Sequence, residues 1–286
     1  PKNVAPYSAD VVAQIAATAV GVALYRVKVV TGDTEVTPYG CGNWGSRGTG
    51  IGGDFEVTLA QTGDHVVLLS GRSVSPVPYS VKVVPFTTPV VALAFGDTIS
   101  GMLSVPGQQD LYAFTGAQGM RLYYDALDRD FEGIAVRLLS PTGVVLLEIN
   151  HSSDYGPVPL VENGAYTLVI DGVGATLGDY RFRLYDLNAA PPVVLGVNIN
   201  SQLQPGSETD FYQFTGAPGQ RVSLDNIAAT LSSATWRLVG PAGQNLLGGG
   251  LLVDLGPVVL PANGPYFVLL EGVNEDISSI AYQMRI

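Results

Sequence analysis

The sequence predicts an all-β chain built from three tandem β-sandwich repeats, and three observations carry that expectation. The first is self-similarity: "DLYAFTGAQGMRLYYDAL" from Asp110 recurs as "DFYQFTGAPGQRVSLDNI" from Asp210, an offset of 100 residues. The same register carries "VRLLSPTG" at 136 to 143 onto "WRLVGPAG" at 236 to 243, and "LVENGAYTLVIDGV" at 160 to 173 onto "LPANGPYFVLLEGV" at 260 to 273. Repetition at a fixed period marks repeated structural modules. The second is a period of two within each copy: in "DLYAFTG" Asp110, Tyr112 and Phe114 share one strand face, and Leu111 and Ala113 the other. The third is punctuation, with 35 Gly and 19 Pro placing turn signals between short apolar runs.

Taken in order, the first repeat occupies 1–85, the second 86–188 and the third 189–286. In the first, "SADVVAQIAATAV" at 8 to 20 permits two readings. Ser8 can cap a helix with Val11, Ile15 and Ala19 on one stripe, whereas the other copies argue for strand, which is the reading taken. "RVKVVTG" at 26 to 32 fits "RLLSPTG" at 137 to 143, while "LAQTGDHVVLLSG" at 59 to 71 fits "LVENGAYTLVIDG" at 160 to 172. Those offsets, 111 and 101, place about ten extra residues in the first copy. The Gly-rich stretch "YGCGNWGSRGTGIGG", 39 to 53, is therefore expected to be an insertion. In the later copies Asn163-Gly164 and Asn263-Gly264 supply the positive φ of tight turns.

Nothing in the first repeat corresponds to "VVALAFGDTISGMLSV", 90 to 105, which opens the second. The first repeat is expected to be divergent and incomplete at its N-terminal side, as if cut from an array or shaped for completion by another chain. A start at Pro1, without an initiator Met or a basic-plus-apolar leader, is that of a processed product or a piece of something longer.

Composition narrows the function classes. A formal charge of −11 with only 14 Lys and Arg disfavours nucleic acid and anionic membrane surfaces. Residues 1 to 85 carry six cations and six acids, so the net negative charge lies after Pro85. The longest apolar run, Val11 to Leu24, is interrupted and shorter than a membrane helix needs, so no membrane insertion is expected. The single cysteine, Cys41, rules out an internal disulfide.

The constellations are few. Gly48, Gly50 and Gly53 match a dinucleotide-loop spacing, but "DFEVTLAQ" after them alternates like a strand where a helix is required. In the same stretch Tyr39, Asn43, Trp44 and Arg47 combine aromatic area with polar groups, a mixture suited to partner binding and equally to a hairpin tip folded onto a sandwich end. "DALDRDFE" sets Asp125, Asp128, Asp130 and Glu132 close together, oxygen ligands that suit calcium, or an exposed acidic loop. Asp110 and Asp210 recur within the repeated core and are read as structural, with Arg137 and Arg237 as candidate partners. His65 and His151 occupy unrelated repeat positions, and no serine sits in a G-x-S-x-G elbow, so no enzyme is expected.

"FGDTISGMLSVPGQQDLYAFTGAQG" followed by "PTG", "ENGAYTLVIDG" and "GDYRFRLYDL", with "SETDFYQFTGAPGQ", "GPAG" and "ANGPYFVLLEG" in the third repeat, resembles the bacterial pre-peptidase C-terminal domain. The resemblance covers about 86 to 286 well and 1 to 85 poorly. It implies a jelly-roll-like sandwich, and an extracellular, non-catalytic module that binds matrix or partner proteins, sometimes with calcium. The expectation is thus an extracellular or cell-surface structural or adhesive protein without a catalytic cofactor. It would assemble end to end with copies of itself or other surface proteins by strand complementation, the neutral first repeat meeting acidic later ones. The alternative is an accessory module gripping a polysaccharide or matrix protein, with calcium as an aid.

Overall fold

The computed structural model describes residues 11–17, 23–31, 36–37, 54–59, 63–71 and 79–86, and 89–286 except 106–107, 129–132, 174–175, 231–232 and 273–278, with side chains from 89 onward. The fold is all-β. The first repeat contributes β1 (Val11–Ala17), β2 (Ala23–Thr31), β3 (Val36–Thr37), β4 (Asp54–Leu59), β5 (Gly63–Gly71) and β6 (Tyr79–Phe86). Next come β7 (Val90–Ala92), β8 (Ile99–Leu103), β9 (Gln109–Gly116), β10 (Arg121–Ala126), β11 (Ile134–Leu139), β12 (Val145–Asn150), β13 (Tyr155–Pro159), β14 (Gly164–Gly172) and β15 (Gly178–Asp186). A 3-10 turn, Leu187–Ala189, leads to β16 (Asn198–Leu203), β17 (Thr209–Gly216), β18 (Arg221–Ala229), β19 (Thr235–Val239), β20 (Asn245–Gly250), β21 (Leu255–Val259), β22 (Gly264–Glu271) and β23 (Ile280–Arg285).

One connectivity recurs three times. The sheet orders β4-β2-β6, β13-β10-β15-β8 and β21-β18-β23-β16 are equivalent, as are β1-β5-β3, β12-β11-β14-β9-β7 and β17-β22-β19-β20. Residues 11–17 are strand: Ala17 lies opposite Gly63 as Gly216 lies opposite Gly264. The topology corrects one register read from sequence. β2 pairs with β4 and β6, which is the place of β10, so 26 to 32 does not correspond to 137 to 143, the end of β11 and the turn after it. An alternating apolar run such as "LYRVKVV" matches either strand equally well. The stretch 39–53 falls between β3 and β4, where the later sandwiches place β12 and β20.

In the third sandwich the core fills the space between its two sheets. Val222 and Leu224 of β18 with Tyr282 and Met284 of β23 face Trp236 and Leu238 of β19 and Tyr266, Val268 and Leu270 of β22. Phe214 stacks on Tyr266 at 5.4 Å, and the second sandwich repeats this with Phe114 on Tyr166 at 5.5 Å. A hydroxyl pair spans the two sheets in both: Tyr112 with Tyr180 at 2.7 Å, buried, and Tyr212 with Tyr282 at 2.6 Å, part-buried. Gly164 and Gly264 hold φ of +145° and +141°, and a Cβ at either would strike Pro141 or Pro241, which explains the glycine of the Asn-Gly turn.

The chain divides into two compact units. One is Pro1–Pro89 with Leu103–Asp110 and Asp171–Gly178; the other is Val90–Met102, Leu111–Ile170 and Asp179–Ile286. The third sandwich and most of the second thus belong to one unit. Among the described residues no helix is long and apolar enough to cross a membrane.

Candidate functional site

Two features of the fold stand apart from ordinary sandwich packing: the edge at β6 and the junction between the second and third sandwiches. Beside β15 and β23 lie β8 and β16, while among the described residues β6 pairs with β2 alone. A strand at a sheet edge presents unpaired N–H and C=O groups, a template for another strand. Among the described residues the Tyr79–Phe86 segment thus has a strand on one side where its two counterparts have one on each.

The junction is built from β10 and β15 of one sandwich and β17, β19 and β22 of the next. Tyr123, Leu187 and Ala190 pack with Phe211, Val239, Phe267 and Leu269 in a small core of their own. Phe211 is gripped by two tyrosines, Tyr123 at 4.9 Å and Tyr185 at 4.7 Å between ring centroids. Arg121 lies over the Phe267 ring and donates to the Pro241 carbonyl at 2.8 Å. Across the same boundary the Tyr123 hydroxyl donates to Glu271 at 2.6 Å and Arg237 donates to the Gly156 carbonyl, while Arg237 and Glu271 pair with each other at 2.7 Å within the third sandwich. Burial pushes the Tyr123 hydroxyl pKa well up, with the Asp154 and Glu271 charges adding to it, so it stays a donor. Arg237 loses some of its preference for charge to desolvation, and Glu271 more than restores it.

At the rim Arg183 pairs with Glu208 of the third sandwich at 2.6 Å and also donates to Thr98 and Tyr185. Next to it Asp125 is fully buried, its carboxyl pKa driven well up by desolvation and by the Asp154 charge. The structural position of Asp125 is opposite Arg183, as Asp225 is opposite Arg285.

The residues predicted from sequence fare unevenly. Tyr39, Asn43, Trp44 and Arg47, and likewise Asp130 and Glu132, lie outside the described residues. Asp125 is on β10 and Asp128 is half-buried two residues beyond the strand. Among the described residues no three His, Cys, Asp or Glu side chains gather into a metal group. The candidate pairing of Asp210 with Arg237 gives way to other partners. Asp210 accepts from the Tyr282 and Ser201 hydroxyls, and Arg237 is committed to Glu271. His151 is buried, its ring against the Ile134 carbonyl.

The junction itself was missed from sequence, although a signal was present. β10 reads "RLYYDA" and every residue after Arg121 is buried, whereas "RVSLD" in β18 alternates buried with partly exposed. A strand covered on both faces loses its alternation.

Comparison with known proteins adds little. Residues 8–54 match the model of a molybdopterin cofactor-binding domain, too small a part of the chain to place it in that family. No curated protein matches the chain. Among solved structures it is similar to a chain of the Sulfolobus Turreted Icosahedral Virus at 13% identity and TM-score 0.21, covering 98% of this chain and 84% of that one. It is also similar to the full extracellular region of zebrafish Adgrg6 at 10% identity and TM-score 0.20, covering 70% and 36%. A chain of the lipid-containing bacteriophage PM2 aligns at 9% identity and TM-score 0.14, covering 97% of each. Superpositions this loose carry no argument about function.

Proposed function

We propose that the protein is a non-catalytic, extracellular structural or adhesive module, akin to the pre-peptidase C-terminal domain, that assembles end to end by strand complementation at β6. The observation that carries this reading is the sheet order. The place occupied by β8 beside β15 and by β16 beside β23 has no strand beside β6 among the described residues. A strand from a second copy or from another surface protein would fill it, with main-chain hydrogen bonds giving affinity and alternate side chains giving selectivity. Tyr39, Trp44 and Arg47 are the side chains proposed to meet the partner. The near-neutral first 85 residues and the net charge of −11 carried beyond them favour contact between the start of one chain and the later repeats of another.

The test is sedimentation velocity together with negative-stain microscopy of the intact chain over a concentration series. The expected result is concentration-dependent growth into linear particles with a regular repeat. Single chains at every concentration overturn self-assembly.

A further inference from the structure

The Asn-Gly turns of the two later sandwiches are built alike and differ in how the asparagine is held. Gly164 and Gly264 stand at φ of +145° and +141° against Pro141 and Pro241. Each turn carries the same clamp: the Tyr166 hydroxyl donates to the Glu162 carbonyl at 2.8 Å, and the Tyr266 hydroxyl to the Ala262 carbonyl at 2.7 Å. Asn163 and Asn263 are both exposed. The side-chain carbonyl of Asn163 accepts the Gln118 backbone N–H at 2.9 Å, which ties it to the turn between β9 and β10. The residue in that place in the third sandwich is Pro218, which has no N–H to give. The other difference, Glu162 for Ala262, points elsewhere, its carboxylate accepting from the Thr142 hydroxyl at 3.0 Å.

We infer that Asn263 is a site of spontaneous deamidation and that its counterpart Asn163 is shielded from the same reaction. Glycine after asparagine favours it, because no Cβ hinders approach to the next backbone nitrogen. The Gly264 nitrogen forms a bond to Cγ of Asn263. The amide nitrogen leaves as ammonia with the proton that the Gly264 N–H gives up, and a succinimide ring remains. Water opens the ring at either carbonyl and leaves an aspartyl or an isoaspartyl link. The first step needs Cγ to swing over the next nitrogen, and in the second sandwich that motion breaks the hydrogen bond from Gln118. The product has a carboxyl in place of the amide and, in the isoaspartyl form, one more main-chain carbon in a turn packed on Pro241. The Pro241 carbonyl takes Arg121 of the second sandwich, so the altered turn abuts the junction.

The experiment keeps the folded full chain in mildly alkaline buffer for weeks and follows both turns by peptide mass spectrometry, with the urea-unfolded chain as reference. In the folded chain Asn263 should convert about fivefold faster than Asn163, the scale of one neutral hydrogen bond, and in urea the two rates should converge. Gln118→Pro, which gives the second sandwich the residue of the third, should speed Asn163 about fivefold, and Pro218→Gln should slow Asn263 by the same factor. The inference is overturned if Asn263 converts no faster than Asn163 in the folded wild type, or if neither variant moves the rate of its asparagine. If the variants do not fold, the wild type decides: a rate gap that persists in urea does not come from the hydrogen bond and overturns the inference.

Discussion

β10 and β18 occupy the same place in successive sandwiches and meet different surroundings. The outward residues of β10, Tyr123 and Asp125, are buried by the third sandwich, while Ser223 and Asp225 of β18 remain partly exposed and hydrogen-bond each other. The two strands show how one fold becomes either a docking surface or a free one through two or three side chains. Tyr123 brings aromatic area where Ser223 has only a hydroxyl, and the second sandwich gives its arginine to its neighbour where the third keeps its own.

The largest effect expected from disturbing this contrast is at Phe211. Truncation to Ala removes the ring held between Tyr123 and Tyr185, and should cost about 3 kcal/mol of unfolding free energy in chemical denaturation. Tyr123→Ser, which makes β10 resemble β18, should be non-additive with it, because the two rings touch. Additive losses would mean that the junction core does not act as one contact.

A smaller effect is expected where the junction covers a charge pair of the third sandwich. Arg237 and Glu271 keep 18% and 17% of their side-chain surface, so Arg237→Met should cost about 1–2 kcal/mol, less than a fully buried pair would. At the free face Arg285→Ala should cost under about 1 kcal/mol, because the Arg285–Asp225 pair is 47% and 33% exposed and screened by salt. Equal losses at the two sites, read from denaturation midpoints in low and high salt, would erase the distinction between docked and free faces.

The smallest effect is a pH dependence within the third sandwich. Burial raises the Asp210 carboxyl pKa despite the hydrogen bonds from Tyr282 and Ser201. The folded chain therefore holds this proton more tightly than the unfolded chain does. That contribution is complete below the ordinary carboxylate pKa of about 3.9 and is lost as pH rises through the raised value. Asp210→Asn should gain stability relative to the wild type as pH rises from about 4 towards neutrality. A difference that stays constant with pH would contradict the shift.

Much of this organisation was legible in the sequence because repeats test themselves. The constant offset fixed Gly164 against Gly264 and Tyr166 against Tyr266, and the period of two put Tyr112 and Phe114 on one face, the one that the structure buries. The last strand departs from that offset: Tyr282 takes the role of Tyr180, and Arg285 that of Arg183, a shift of 102. The Asp-Arg correspondence is invisible without the strand pairing. Asp125 was grouped with Asp128 by nearness along the chain, whereas Arg183 lies opposite it on the next strand. In the first repeat "VKVV" offered no residue distinctive enough to choose between the places of β10 and β11.

Hydrogen exchange tests strand complementation at β6 most directly. Amides of Tyr79–Phe86 that point away from β2 should exchange fast in dilute monomer and become protected as the chain assembles. Linear particles in which those amides still exchange fast, or protection already complete at the lowest concentration, would contradict strand complementation at this edge.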